Sequence, residues 1–126
     1  LAGSDGGMAY ADWPTIGGEW IPSSAFSHEN FWSNFTEEHA TQHLLHRTTG
    51  YVVALLSLIL SAVGLIRGQG EARWALGLVG LVALLQAGLG IMTVLAVSPL
   101  SLSLLHQAGA TVLWMTTLVA ARAAWR

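Results

Sequence analysis

Four of the five histidines in this 126-residue chain lie in or at the edge of long uncharged runs, where few other side chains could do chemistry. An ionisable residue inside a membrane is costly to keep, which makes it a functional candidate. His39, His43 and His46 are spaced by four and three, so a helix puts all three on one face. His106 follows Pro99 by seven residues. Two neutral imidazoles facing each other across a helix bundle would suit a six-coordinate haem iron, which takes one nitrogen from each side of the porphyrin plane. The flat macrocycle also needs room beside each ligand. Gly50 follows His46 by four residues, and Gly109 and Ala110 follow His106 by three and four. Arg47 is placed at the membrane edge to meet a haem propionate or to snorkel to the interface. Two other readings stay open. Three histidines and Gln107 can form a hydrogen-bonded polar cluster, and His39, His43 and His46 beside Glu38 can hold zinc or copper near the surface. No Cys, Asp or Glu lies in the uncharged runs to complete a buried metal set.

The elements that must position these residues read as helices in a membrane. Hydrophobic residues make up 53% of the chain and charged residues 10%, against roughly 25% charged in ordinary soluble domains. Composition changes near Glu38. Residues 1–38 carry six of the seven acidic residues, with Pro14, Pro22 and many Gly and Ser, and read as an aqueous loop segment with a short helix near 31–38. Beyond it, residues 48–66 and 74–121 contain no charge. A spanning helix needs about 20 mostly apolar residues. The expected fold is therefore an all-α integral membrane protein: a loop segment over 1–38 and transmembrane helices at about 39–66, 73–97 and 100–123, the last opened by Pro99.

Arg67 and Arg73 flank the link between the first two helices, Arg122 and Arg126 end the chain, and the turn at Ser98-Pro99 is uncharged. The positive-inside rule then puts the N-terminal segment outside and the C-terminus inside. Trp13, Trp20 and Trp32 fall on the outer side, and Trp74 and Trp125 at the inner interface. His46 lies 21 residues from Arg67, and His106 lies 20 from Arg126. Counting to Arg122 instead leaves a mismatch of about 7 Å, which helix tilt can absorb. Gly77, Gly80, Ala87, Gly88 and Gly90 supply small residues for close helix packing. Gln86, mid-helix, must find a partner, because an unmatched amide in hydrocarbon is costly.

A net charge of −2 gives no support to nucleic-acid binding. With no Cys there is no disulfide framework. The chain starts at Leu1 and shows no signal-peptide pattern, so it is expected to be truncated or processed at its start.

The sequence resembles the C-terminal half of haem A synthase, in the mitochondrial and proteobacterial form. The likeness is carried by Asp12-Trp13-Pro14, by Gly18-Glu19-Trp20-Ile21-Pro22, and by Asn34-Phe35-Thr36-Glu37 leading through Ala40-Thr41 to His46-Arg47. It continues in Gln86-Ala87-Gly88-Leu89-Gly90-Ile91-Met92-Thr93, and in Pro99-Leu100 through Leu105-His106-Gln107-Ala108-Gly109-Ala110. The resemblance implies eight helices in two pseudo-symmetric four-helix halves, of which this chain would hold three helices of one half. It implies haem b as cofactor with His46 and His106 as axial ligands; Arg47, Gly50 and Gly109 are placed beside it by the spacing given above. The implied reaction is oxidation of a ring methyl of haem O to the formyl group of haem A, performed in the other half. No catalytic residue can be named in this chain. The implied partners are haem O and haem A, membrane lipid, an electron acceptor and a second copy of the chain. The implied location is a bacterial plasma membrane or the mitochondrial inner membrane. His39 and His43 depart from the family pattern, which more often has apolar residues or Gln there. A b-type cytochrome or haem-binding module without catalysis is the alternative.

Overall fold

The computed structural model describes residues 6–125. Arg126, used above for orientation, and the first five residues lie outside the described residues. The chain runs through a 3₁₀ turn (Gly6–Met8) and four α-helices: α1 (Ser33–Thr36), α2 (His39–Arg67), α3 (Gly70–Leu95) and α4 (Leu100–Ala124). Among the described residues there is no strand, only an isolated bridge between Ile16 and Glu19. The last three helices are long and apolar enough to cross a membrane. The shortest has 25 residues, or about 37 Å at 1.5 Å per residue, against a hydrocarbon core of about 30 Å. This is an integral membrane protein.

Local chemistry sets the helix ends. The Glu38 carboxylate accepts the Ala40 N–H at 3.1 Å, capping α2, and Arg67 lies in the last turn, where a cation meets the negative end of the helix dipole. The sequence places the next helix at about 73. It begins instead at Gly70, because that glycine takes the left-handed conformation (φ 54°) that reverses the chain, and Glu71 then suits a first turn. Only Gly68 and Gln69 separate α2 from α3, so the two run antiparallel and adjacent. α3 stops at Leu95, two residues before 97, since Val97 (φ 62°) and Ser98 (φ 50°) leave the right-handed region. Within the short helix expected near 31–38, only Ser33–Thr36 is helical.

α3 packs against both α2 and α4, with no comparable packing between α2 and α4. The α2–α3 contact is close because glycines remove side chains from it. A Cβ on Gly64 would overlap Leu76, one on Gly80 would overlap Ser61, and one on Gly77 would lie 3.0 Å from Leu65 Cδ2. Apolar tails of lipid give helices no reason to hide leucines from them, so association depends on such close approach. The large apolar residues accordingly stay exposed, Leu55, Leu85 and Val119 among them. Gly88, in the same small-residue stripe, meets nothing within 4 Å and takes no part in packing.

The N-terminal segment folds across the end of the bundle where α2 starts and α4 begins. Ser98 Oγ donates to the Gly7 carbonyl at 2.6 Å, and the Phe26 N–H donates to Thr41 Oγ1 at 2.8 Å. Asn34, buried, accepts the His28 N–H at 2.9 Å and donates back to the His28 carbonyl at 3.0 Å.

The glycine contact yields a direct comparison. Gly80→Leu should destabilise the detergent-solubilised protein by about 1–3 kcal/mol, the usual cost of overpacking. Gly88→Ala should leave the unfolding midpoint unchanged or raise it slightly. Equal effects of the two would show that Gly80 is not at a close contact.

Candidate cofactor site

Between α2 and α4, over the face of α3, lies an open groove of about 580 Å³. That volume falls in the range of small-molecule and cofactor sites, roughly 300–1,000 Å³. His46 is the eighth residue of α2 and His106 the seventh of α4. Both helices start at the same end of the bundle, so both histidines lie about 10 Å along their helix axes. Their rings meet in the groove, with centroids 6.1 Å apart and planes inclined at 75°. A metal–imidazole bond is about 2 Å long, and a ring nitrogen lies about 1 Å from its centroid, so two rings on opposite sides of one ion would sit about 6 Å apart. The observed spacing fits one metal atom between them.

The rest of the groove suits a large flat apolar group. Its walls are aliphatic side chains such as Leu60, Ile91 and Leu113, and no Asp or Glu lines it among the described residues. Gly50 faces open space, and a Cβ there would meet nothing within 4 Å. Gly109, expected beside the cofactor, is instead spent on the α3–α4 contact. A Cβ at that position would overlap Gln86 Oε1, and Ala110 lines the groove in its place. At 100° per residue, Ala110 lies about 40° to one side of His106 and Gly109 about 60° to the other, so the two fall on opposite flanks of the ligand face.

Arg47 lines the groove but is only 8% exposed. Its Nη1 donates to the Thr15 carbonyl at 2.6 Å, and Nη2 faces His43 Nδ1 at 3.4 Å. Its Nε is buried with no hydrogen-bond partner. A buried cation without a paired anion is expensive, so this guanidinium has capacity for an acidic group.

The histidine face of α2 divides into three environments. His43 is 1% exposed and uses both ring nitrogens. The Gly6 carbonyl can only accept, so Nε2 donates to it at 2.6 Å, leaving Nδ1 to accept from Arg47. Tyr10 packs edge-on against this ring. His39 stays outside the groove, its Nδ1 without a partner. Only His46 turns into the groove. Residues 43 and 46 differ by about 60° around a helix, enough to straddle the line between segment and groove. Among the described residues, no three His, Cys, Asp or Glu side chains are grouped to hold a metal. Gln107 is exposed and away from the groove, so the cluster of three histidines with Gln107 does not form.

Sequence reasoning missed Trp13 and Tyr51, which line the groove and are joined by a 3.0 Å bond from Trp13 Nε1 to the Tyr51 hydroxyl. Tyr51 had a signal, being four residues from Arg47 on the same helical face. Trp13 had none, because loop geometry brings it there. That loop is organised by Asp12, whose carboxylate accepts from the Thr15 hydroxyl at 2.7 Å and from the N–H groups of Gly17 and Gly18 at 2.9 Å. Desolvation acts to raise the Asp12 pKa, but the bonds from Gly18, Thr15 and Gly17 outweigh it and bring the value down to about 2.

The chain matches the COX15-CtaA family model, described as cytochrome oxidase assembly protein, over residues 1–118. The chain belongs to this family. Within the COX15-CtaA family it is 38% identical over 118 residues to heme A synthase of Roseobacter denitrificans, covering 94% of this chain and 31% of that protein. It is 39% identical over 114 residues to heme A synthase of Paracoccus denitrificans, covering 90% of this chain and 30% of the relative. Heme A synthase COX15 of Saccharomyces cerevisiae is 38% identical over 134 residues, covering 94% and 27%. The chain thus spans about a third of the length of these relatives. No solved structure matches it.

The depressed Asp12 value has a pH consequence of definite sign. Its folded pKa lies below the ordinary carboxylate value of 3.8, so its stabilisation is present above the unfolded pKa and is lost as pH falls through the folded value. Tryptophan fluorescence of the segment should hold steady down to about pH 4 and change between there and about 2. Asp12→Asn should remove that transition; its persistence in the variant would assign it to another group.

Proposed function

We propose that this chain is the haem b-holding C-terminal half of a haem A synthase, with His46 and His106 as the two axial ligands. The reading is carried by the pair of imidazoles at 6.1 Å across an apolar groove. The family relation supports the biosynthetic setting, since the relatives quoted above are all named for haem A synthesis. Oxidation of the haem O ring methyl to a formyl group, with haem A as product, is the reaction proposed for the whole protein.

A haem held by two histidines supplies reversible one-electron transfer. The chain's own residues bind and orient it. His46 and His106 offer one nitrogen each, Gly50 leaves the wall open, and the Arg47 guanidinium suits a propionate through a charge-assisted hydrogen bond. Trp13 and Tyr51, bonded to each other, line the groove together with its aliphatic walls. The absence of any carboxylate from the groove lining among the described residues favours electron transfer over methyl oxidation in this half. The proposed orientation has the N-terminal segment outside and Arg67, Arg73 and Arg122 at the inner face, in a bacterial plasma membrane or the mitochondrial inner membrane. An electron acceptor and a second copy of the chain are the proposed protein partners.

Absorption spectra of the detergent-purified protein test the ligands. The intact protein should show a low-spin b-type spectrum, oxidised and reduced, and His46→Ala and His106→Ala should each lose it or turn it high-spin. A spectrum unchanged in either variant would remove that residue from the ligand set. The 126 residues alone should form no haem A from haem O; haem A found by chromatography after incubation would refute the division of labour.

A further inference from the structure

The buried residues of α2 fall into two groups: Ala40, Thr41, His43 and Arg47 near its start, and Ser57, Ser61 and Gly64 toward its end. The second group meets α3, with Ser61 against Gly80 and Gly64 against Leu76, close to the short link between the two helices. The first group meets the N-terminal segment instead, through Phe26, Gly6 and Thr15. Residues 48–56, between the groups, include none that is buried, and here α2 gives the groove Gly50, Val53 and Ala54. On the other side of the groove, α4 is held against α3 at the level of His106. Gln86 Nε2 donates to the His106 carbonyl at 2.7 Å, and a Cβ on Gly90 would lie 2.8 Å from His106 Cε1. So α2 is fixed to α3 near their link, while its His46 end is fixed from the segment.

One 3₁₀ turn of that segment reaches both sides of the groove. Its Gly6 carbonyl accepts from His43 Nε2 on α2, and its Gly7 carbonyl accepts from the Ser98 hydroxyl in the α3–α4 turn, each at 2.6 Å. Ser98 is itself tied to both helices of that turn. Its N–H donates to the Thr93 carbonyl of α3 at 2.8 Å, and its carbonyl accepts from Ser103 Oγ of α4 at 3.3 Å. Val97 and Ser98 are left-handed there, a conformation that a β-branched residue keeps only where its surroundings compel it. Gly7 has no room for a side chain, since a Cβ would lie 3.1 Å from Ser98 Oγ. We propose that the Gly6–Met8 turn is a clasp between the two histidine-bearing helices, and that His43 and Ser98 are positioning residues that set the gap between His46 and His106. Metal–ligand bonds hold their lengths to about 0.2 Å, so an opening of about 1 Å would break one of two such bonds. The effect on haem rests on the ligand assignment above; the effect on the gap does not.

The test measures distances by electron–electron double resonance in the membrane-extracted protein at its native length, between nitroxide-bearing unnatural residues. One pair stands at the exposed Leu45 and Leu105, near the clasp, and the other at the exposed Val63 and Val119, toward the opposite end of the bundle. Ser98→Ala and His43→Leu each cut one arm of the clasp, and His43→Gln keeps an N–H donor for Gly6. In both cutting variants the first distance should lengthen or broaden while the second stays at its wild-type value, and His43→Gln should keep both at wild type. A first distance unchanged in either cutting variant would overturn the clasp. So would equal changes in the two pairs, which would mean general loosening, or His43→Gln altered as much as His43→Leu. Absorption spectra of the same variants should show the haem turning high-spin as the gap widens. A widened gap with the haem still fully low-spin would leave the clasp standing and remove His46 and His106 as its pair of ligands.

Discussion

α2 and α4 are fastened to α3 rather than to each other, and the gap this leaves is what the rest of the structure depends on. In water, such a gap lined with leucine would collapse. In lipid, burying those side chains gains little, because acyl chains are as apolar as leucine, and helices associate where backbones approach closely. Gly64, Gly77 and Gly80 supply that approach between α2 and α3, and Gly90 and Gly109 supply it between α3 and α4. The fully buried apolar set is correspondingly small and made mainly of short side chains, Ala40, Val79, Ala83 and Ala120 among them. Helix contacts concentrated on one face of α3 leave the facing walls of α2 and α4 free to hold His46 and His106 at the spacing of a shared metal.

A second constraint acts at the end of the bundle covered by the N-terminal segment. Buried polar groups must be satisfied, and α2 brings Thr41, His43 and Arg47 into that region as buried side chains. The segment answers each one: Phe26 donates its N–H to Thr41, Gly6 accepts from His43, and Thr15 accepts from Arg47. Docking the segment also delivers Trp13 to the groove. The bonds that hold the segment therefore also shape the site. His43 cannot be both the anchor of Gly6 and a metal ligand, which separates it from His46 although the two share a helix.

Among the described residues, three buried side-chain polar atoms are left without a partner: His39 Nδ1, Arg47 Nε and Gln86 Oε1. Arg47 and Gln86 line the groove, and His39 lies outside it. Elsewhere on the long helices, hydroxyls such as those of Thr93, Thr116 and Thr117 bond back to their own helix carbonyls. Two of the three orphaned atoms thus belong to residues that line the groove.

Much of this was legible in the residues alone, and the boundary has a physical cause. Long uncharged runs determine spanning helices because hydrocarbon admits little else, and the Pro99-to-His106 spacing with the start of α2 near His39 set two histidines at similar depth. The need of Gln86 for a partner also followed from its type and place. Which residue met it did not, and neither did the burial of His43 against the segment, the choice of Ala110 over Gly109, or the arrival of Trp13 from a loop. Periodicity assigns a residue to a face to within about 60°, while the line between groove, segment and lipid is drawn by how α2 and α4 rotate against α3. That rotation is set by glycine contacts between helices far apart in sequence, and only the tertiary structure decides it.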